Sequence, residues 1–136
     1  MSSIVEILNS IRDEFSVFND PRDKYIFLVD LAKDLGGLRE EEKVEANRIH
    51  GCTSQAWVTC KKNNSKYFFK TDSDAMIVRG LLSLIERSFN DHTKEEILNI
   101  DGSQFLDSVG LGRSISSQRT NGFSNAINKI QKELLD

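Results

Sequence analysis

The sequence predicts an α+β fold in which helices pack on a small antiparallel sheet. Three observations carry this reading. Apolar residues recur at helical spacing near both ends of the chain. Between them, Gln55 to Lys61 alternates, an Asn63-Asn64-Ser65 turn signal follows, and Tyr67-Phe68-Phe69-Lys70-Thr71 is aromatic and strand-like. The order is therefore helices, then strands, then helices.

In chain order, Ile4, Ile7, Leu8, Ile11 and Phe15 form the first helical stripe, with Ser2 or Ser3 as N-cap. Asp20-Pro21 opens a second helix, since Asp caps and Pro is tolerated in the first turn. That helix carries Tyr25, Leu28, Val29 and Ala32 and stops at Gly36-Gly37. Residues 39–45 are polar and expected to be exposed. In the hairpin, Ala56, Val58 and Cys60 share one face and Gln55, Trp57 and Thr59 the other; Asn47 to Ile49 is a candidate additional strand. Asp72-Ser73-Asp74 is read as the cap of a central buried helix bearing Ile77, Val78, Leu81, Leu82, Leu84, Ile85 and Phe89. Thr93-Lys94-Glu95-Glu96 has capping-box spacing, and Ser103 to Val109 suits a short helix. Ser116 or Ser117 caps the last helix, with Phe123, Ala126, Ile127, Ile130 and Leu134 as its stripe.

The chain has 136 residues, 38% hydrophobic and 29% charged, which suits one domain over 1–136 with a real core. A net charge of −3 gives no electrostatic reason to expect nucleic acid. The longest apolar run, Tyr25 to Val29, is far too short to span a bilayer. No basic segment precedes an apolar one at the N-terminus, so a cytoplasmic protein is expected. Two cysteines, Cys52 and Cys60, do not make a disulfide framework, and reduced thiols follow.

The most unusual local context is His50-Gly51-Cys52-Thr53-Ser54-Gln55, where the pattern enters a strand. Gly51 permits positive φ, which places the cysteine at a turn tip. Thr53 and Ser54 offer hydrogen bonds to a thiolate, the nucleophilic form. An inert buried cysteine is the competing account, and local chemistry leaves both open. Cys60, in phase with Ala56 and Val58, is explained by a covered strand face. A base for Cys52 is one reading of His50, but a solvated loop histidine is the simpler one. His50, Cys52, Cys60 and His92 lack the spacing of a structural zinc site, and two cysteines are too few for an iron–sulfur cluster. No metal or cofactor is expected. Arg119 falls near the start of the last helix, against the dipole. It serves a site, or more simply it is an exposed arginine or one paired with Asp72, Asp74 or a neighbouring glutamate.

Taken together, these segments resemble the SufE family of sulfur acceptors. The resemblance rests on Asn47-Arg48-Ile49-His50-Gly51-Cys52-Thr53-Ser54-Gln55-Ala56-Trp57, on Asp72-Ser73-Asp74-Ala75-Met76-Ile77-Val78-Arg79-Gly80-Leu81, and on Ser116-Ser117-Gln118-Arg119-Thr120-Asn121-Gly122-Phe123. Asp23-Lys24-Tyr25 adds a weaker match. Thr53, Gln118 and Phe123 depart from the family's usual glutamine, serine and leucine. The resemblance implies a SufE/IscU-like α+β fold and a covalent sulfur-transfer protein rather than a stand-alone enzyme. It makes Cys52 the carrier that takes persulfide sulfur from a pyridoxal-phosphate-dependent cysteine desulfurase. That sulfur would pass to an iron–sulfur cluster scaffold, with the desulfurase stimulated in return. Gly51, Thr53, Ser54, Gln55, Asp74 and Arg119 are expected to support the loop or meet the partner, and a homodimer is compatible with this. The alternative is a non-catalytic scaffold or metal-binding adaptor.

Overall fold

The computed structural model describes residues 2–135. Helix α1 (Ile4–Ser16) starts in a capping box made by Ser3 and Glu6 and buries Ile4, Leu8, Ile11 and Phe15. Helix α2 (Pro21–Asp34) starts at Asp20, whose carboxylate accepts the Arg22 amide at 2.9 Å, with Pro21 in the first turn. Two short 3-10 turns, Glu40–Glu42 and Glu45–Asn47, lead to the hairpin.

Strands β1 (Ala56–Asn63) and β2 (Lys66–Ser73) pair antiparallel, with Trp57 opposite Asp72 and Cys60 opposite Phe69. Asn64 takes positive φ at the turn tip. The third strand is β3 (His92–Thr93), against the start of β2. The Asn47–Ile49 segment, expected as a strand, contributes only a bridge between Arg48 and Trp57, because the preceding 3-10 turn curls the chain away. Past β3, the outer edge of β2 is covered by side chains of helix α3 (Met76–Phe89) and the residue after it. Glu86 accepts the Thr71 amide at 2.8 Å, and Asn90 accepts the Phe69 amide at 2.6 Å. These bonds satisfy donors that a third full strand would otherwise take.

Helix α3 is the central helix its apolar circumference predicts: Ile77, Leu81, Leu82, Leu84, Ile85 and Phe89 are all buried. Its interior Gly80 lies against the Leu28 carbonyl of α2, where an added methyl would collide with backbone. The close crossing of α2 and α3 thus requires glycine there, despite its cost in a helix. Helices α4 (Lys94–Leu98), capped by the Thr93–Glu96 box, and α5 (Phe105–Ser108) lead to α6 (Ser117–Leu135). Ser116 caps α6 with its hydroxyl on the Arg119 amide. A series of ring contacts, edge-to-face at Phe69–Phe89 and Phe89–Phe105 and tilted at Phe105–Phe123, runs from the sheet through α3 and α5 to α6, with centroids 5.0 to 6.2 Å apart.

The Asp72-Ser73-Asp74 triplet does not cap α3 as expected. The cap position is Ala75, which has no capping side chain; the Ser73 hydroxyl accepts the Ala75 amide at 3.2 Å, but none of the three polar side chains bonds an amide of the first turn. Asp72 is buried and accepts the Leu38 and Ser73 amides at 2.9 and 2.8 Å. It also pairs with Arg79, and with Lys43 at 3.4 Å. Burial would raise its pKa, but the two amides and two cations outweigh burial and hold it below the usual aspartate value. Lys43 lies over the Trp57 ring at 5.4 Å, and Trp57 is buried. The 39–45 segment is therefore mostly exposed, as its composition predicts, but anchored by Lys43.

Cys60 is exposed, contrary to the covered face expected from its phase with Ala56 and Val58. Strand β1 is the edge strand and outruns the helices: burial stops after Val58 and exposure begins at Cys60. The alternation reports which side a residue faces, not how far the covering layer extends.

Asp72→Asn should destabilise the fold by about 3 kcal/mol at neutral pH, since it leaves Arg79 and Lys43 without their counter-charge. The folded pKa lies below the unfolded one, so this contribution is complete above pH ~4 and is lost as pH falls through the folded value. Urea unfolding of both proteins should show a gap at pH ~7 that narrows below pH ~4. A gap constant across that range would remove the carboxylate from the account.

Candidate functional site

The Cys52 loop is built from its two ends. At the start, the Ile49 amide donates to the Ala56 carbonyl at 2.8 Å, closing residues 50–55 into a loop above the end of the hairpin. At the exit, the Gln55 amide donates to the Asp74 carboxylate at 3.1 Å and the Asp74 amide returns a bond to the Gln55 carbonyl at 3.2 Å. Ser73 adds a hydroxyl bond to the same carbonyl at 2.7 Å. Gly51 has φ +85°, and a methyl added there would strike the Asn125 side chain of α6.

This bending brings Cys52 down onto α6. A methyl added at Gly122 would lie 3.0 Å from the Cys52 Sγ, so only glycine gives the sulfur this much room. The thiol donates a weak bond to the Gly122 carbonyl at 3.6 Å and is half-buried. Val78, Leu81 and Leu82 of α3 and Phe123 of α6 wall a pocket of about 20 Å³ beside it. Thr53, Gln118 and Arg119 complete the lining. Desolvation pushes the Cys52 thiol above its ordinary pKa, and the Arg48 guanidinium pulls it part of the way back.

The structure therefore gathers Cys52, Thr53 and Arg119 at one pocket, with Gly51, Gln55 and Asp74 shaping the loop. Ser54 and Thr53 make no hydrogen bond to the sulfur; the Gly122 carbonyl takes that place. Arg119 has no carboxylate partner among the described residues, and Asp72, offered as one, is taken by Arg79 and Lys43. His50 pairs with Glu45 at 2.9 Å rather than with the thiol. His92 is buried with its ring nitrogens on the Asn90 and Ser2 carbonyls, each at 2.9 Å. Among the described residues no group of three or more His, Cys, Asp or Glu comes together to hold a metal. In the sequence Gly122 stands out only within the Ser116–Phe123 motif, and Val78, Leu81 and Leu82 only as residues of a buried helix. The spacing of Gln118, Gly122 and Asn125 on one helical face was the available clue.

A family model, the SufE Fe-S metabolism associated domain, matches residues 9–134. The chain belongs to the SufE family. An uncharacterized SufE-like protein of Rhizobium etli is 33% identical over 130 residues, 93% of this chain and 88% of its own. A second, from Synechocystis, is 33% identical over 128 residues, 94% of this chain and 80% of its own. The solution structure of a hypothetical protein from Thermus thermophilus superposes with a TM-score of 0.77 at 18% identity, covering 95% of this chain and 93% of that one. That likeness establishes the shared α+β architecture, and family membership places the chain in sulfur-related Fe-S metabolism. Among the described residues no helix is long and apolar enough to cross a membrane.

The environment of the thiol sets its reactivity with iodoacetamide. In a Cys60→Ser background, the alkylation rate of Cys52 should have a pH midpoint above the ordinary thiol value of about 8.5. Arg48→Gln should move the midpoint higher still, by removing a cation that favours the thiolate. A midpoint at or below that value in the parent would show that desolvation does not govern this thiol.

Proposed function

We propose that Cys52 is a persulfide carrier, taking sulfur from a cysteine desulfurase and relaying it to iron–sulfur cluster assembly. The observation that carries the reading is a half-buried thiol seated on Gly122 beside an apolar pocket of about 20 Å³. A cavity of roughly 10–15 Å³ already holds one water, so this one suits a single extra atom such as the outer sulfur of a persulfide. Family membership supplies the sulfur context.

The chemistry is an exchange at sulfur and needs no oxidant. Cys52 first loses its proton. Its thiolate attacks the outer sulfur of the donor persulfide, a Cys52 S–S bond forms, and the donor S–S bond breaks. The donor sulfur leaves as a thiolate and takes up the proton. The raised pKa of Cys52 keeps the free protein a poor nucleophile, and apolar walls shield the product from stray thiols. Docking must then move the loop off α6 to align the reacting sulfurs. Arg119, at the rim without a carboxylate partner, orders the moved loop or meets the donor surface.

Intact mass after incubation with a desulfurase and cysteine tests the carrier. Wild type and Cys60→Ser should gain one sulfur that reductant removes. Cys52→Ser should gain none and should not stimulate the desulfurase. Acceptance by Cys52→Ser through the exposed Cys60 would sink the assignment. Arg119→Ala should accept sulfur about tenfold more slowly, with a melting temperature within about 2 °C of wild type. Normal acceptance with a large loss of stability would make Arg119 a structural residue.

A further inference from the structure

On the other side of the Cys52 loop from the pocket lies a groove of about 590 Å³ whose lining includes Arg48, His50, Gly51, Asn125, Lys129 and Lys132. The two sites share one stripe of α6. Gln118 and Gly122 border the pocket, and Asn125, Lys129 and Lys132 continue at helical spacing into the groove. The groove is basic in a chain of net charge −3. One lining carboxylate, Glu133, is occupied by Lys129 at 2.6 Å, and Lys129 also holds the Ala46 carbonyl at 3.0 Å. His50 is paired with Glu45. Arg48 and Lys132 have no carboxylate partner among the described residues. Lys132 is in the last turn of α6, where the helix dipole favours a cation, but Arg48 is not on a helix and has no such reason.

We propose that this groove docks an acidic segment of the sulfur donor, so that the donor straddles the Cys52 loop with its carboxylates on Arg48 and Lys132. The inference rests on the carrier reading above. Its physical ground is proximity together with desolvation. His50 and Gly51 line the groove, so a protein surface that reaches Cys52 also covers it. Covering two unpaired cations with a neutral or basic surface would strip their water without replacement. Carboxylates on the donor remove that cost and add steering during approach. The same contact would engage Arg48, the cation that already favours the Cys52 thiolate.

Calorimetry between the desulfurase and the Cys52→Ser protein, which binds without turnover, tests this. Introducing Lys132→Glu should weaken binding about tenfold at ~0.1 M salt. The difference should fade toward ~1 M salt, where the Debye length drops to about 3 Å. Arg22→Glu, an equal charge change on exposed α2 outside the groove, should have far less effect. Equal weakening by both variants, or no weakening by Lys132→Glu, overturns the groove. A wild type that binds but accepts no sulfur overturns the carrier reading while the comparison of variants still decides the groove. A wild type that does not bind the desulfurase overturns both.

Discussion

Four separate stretches of this chain meet at the Asp72 carboxylate. The Leu38 amide reaches it from beyond α2, Lys43 from the segment between the 3-10 turns, Arg79 from α3 and the Ser73 amide from the end of β2. Arg79 also holds the Leu35 carbonyl at 2.8 Å, so the end of α2 joins the same network. A buried carboxylate is tolerable only when its oxygens are filled, and here two amides and two cations fill them. The consequence reaches the Cys52 loop. With Asp72 fixed at the end of β2, Ser73 and Asp74 are held in place to bond Gln55 and so to close the Cys52 loop.

The proposed carrier role makes two opposed demands on Cys52, and the loop balances them. A thiol that must react favours solvent and nearby positive charge; a bound sulfur that must survive favours an apolar cover. Two glycines set the compromise by geometry. Gly51 supplies a positive-φ bend against Asn125, and Gly122 leaves room for the sulfur on α6. Behind the pocket, Phe123 ends the line of rings that begins at Phe69 in the sheet. The wall facing the sulfur is thus continuous with the core, while the loop is held by polar bonds at its two ends.

Much of this was legible in the sequence because it depends on near neighbours. Ser3, Asp20, Thr93 and Ser116 act as caps, and Asn64 turns the hairpin, each through bonds or dihedrals spanning a few residues. The continuous apolar surface of α3 similarly required burial whatever covered it. The failures share the opposite character. Asp72, Ser73 and Asp74 look like a helix cap, yet each is also claimed by a partner far away in sequence, Leu38 for Asp72 and Gln55 for Ser73 and Asp74, where local rules have no reach.

The sequence by itself determined the α+β class, the hairpin, the central helix and, through motif resemblance, Cys52 as the cysteine of interest. Tertiary structure alone decided that Trp57 is covered while Cys60 is bare, that Arg48 and α6 flank the loop, and that Gly122 forms the bed of the sulfur. The physical reason is the same in each case. Periodicity fixes the direction a side chain takes from its own backbone, but burial, desolvation and pairing are set by how far other elements extend over it.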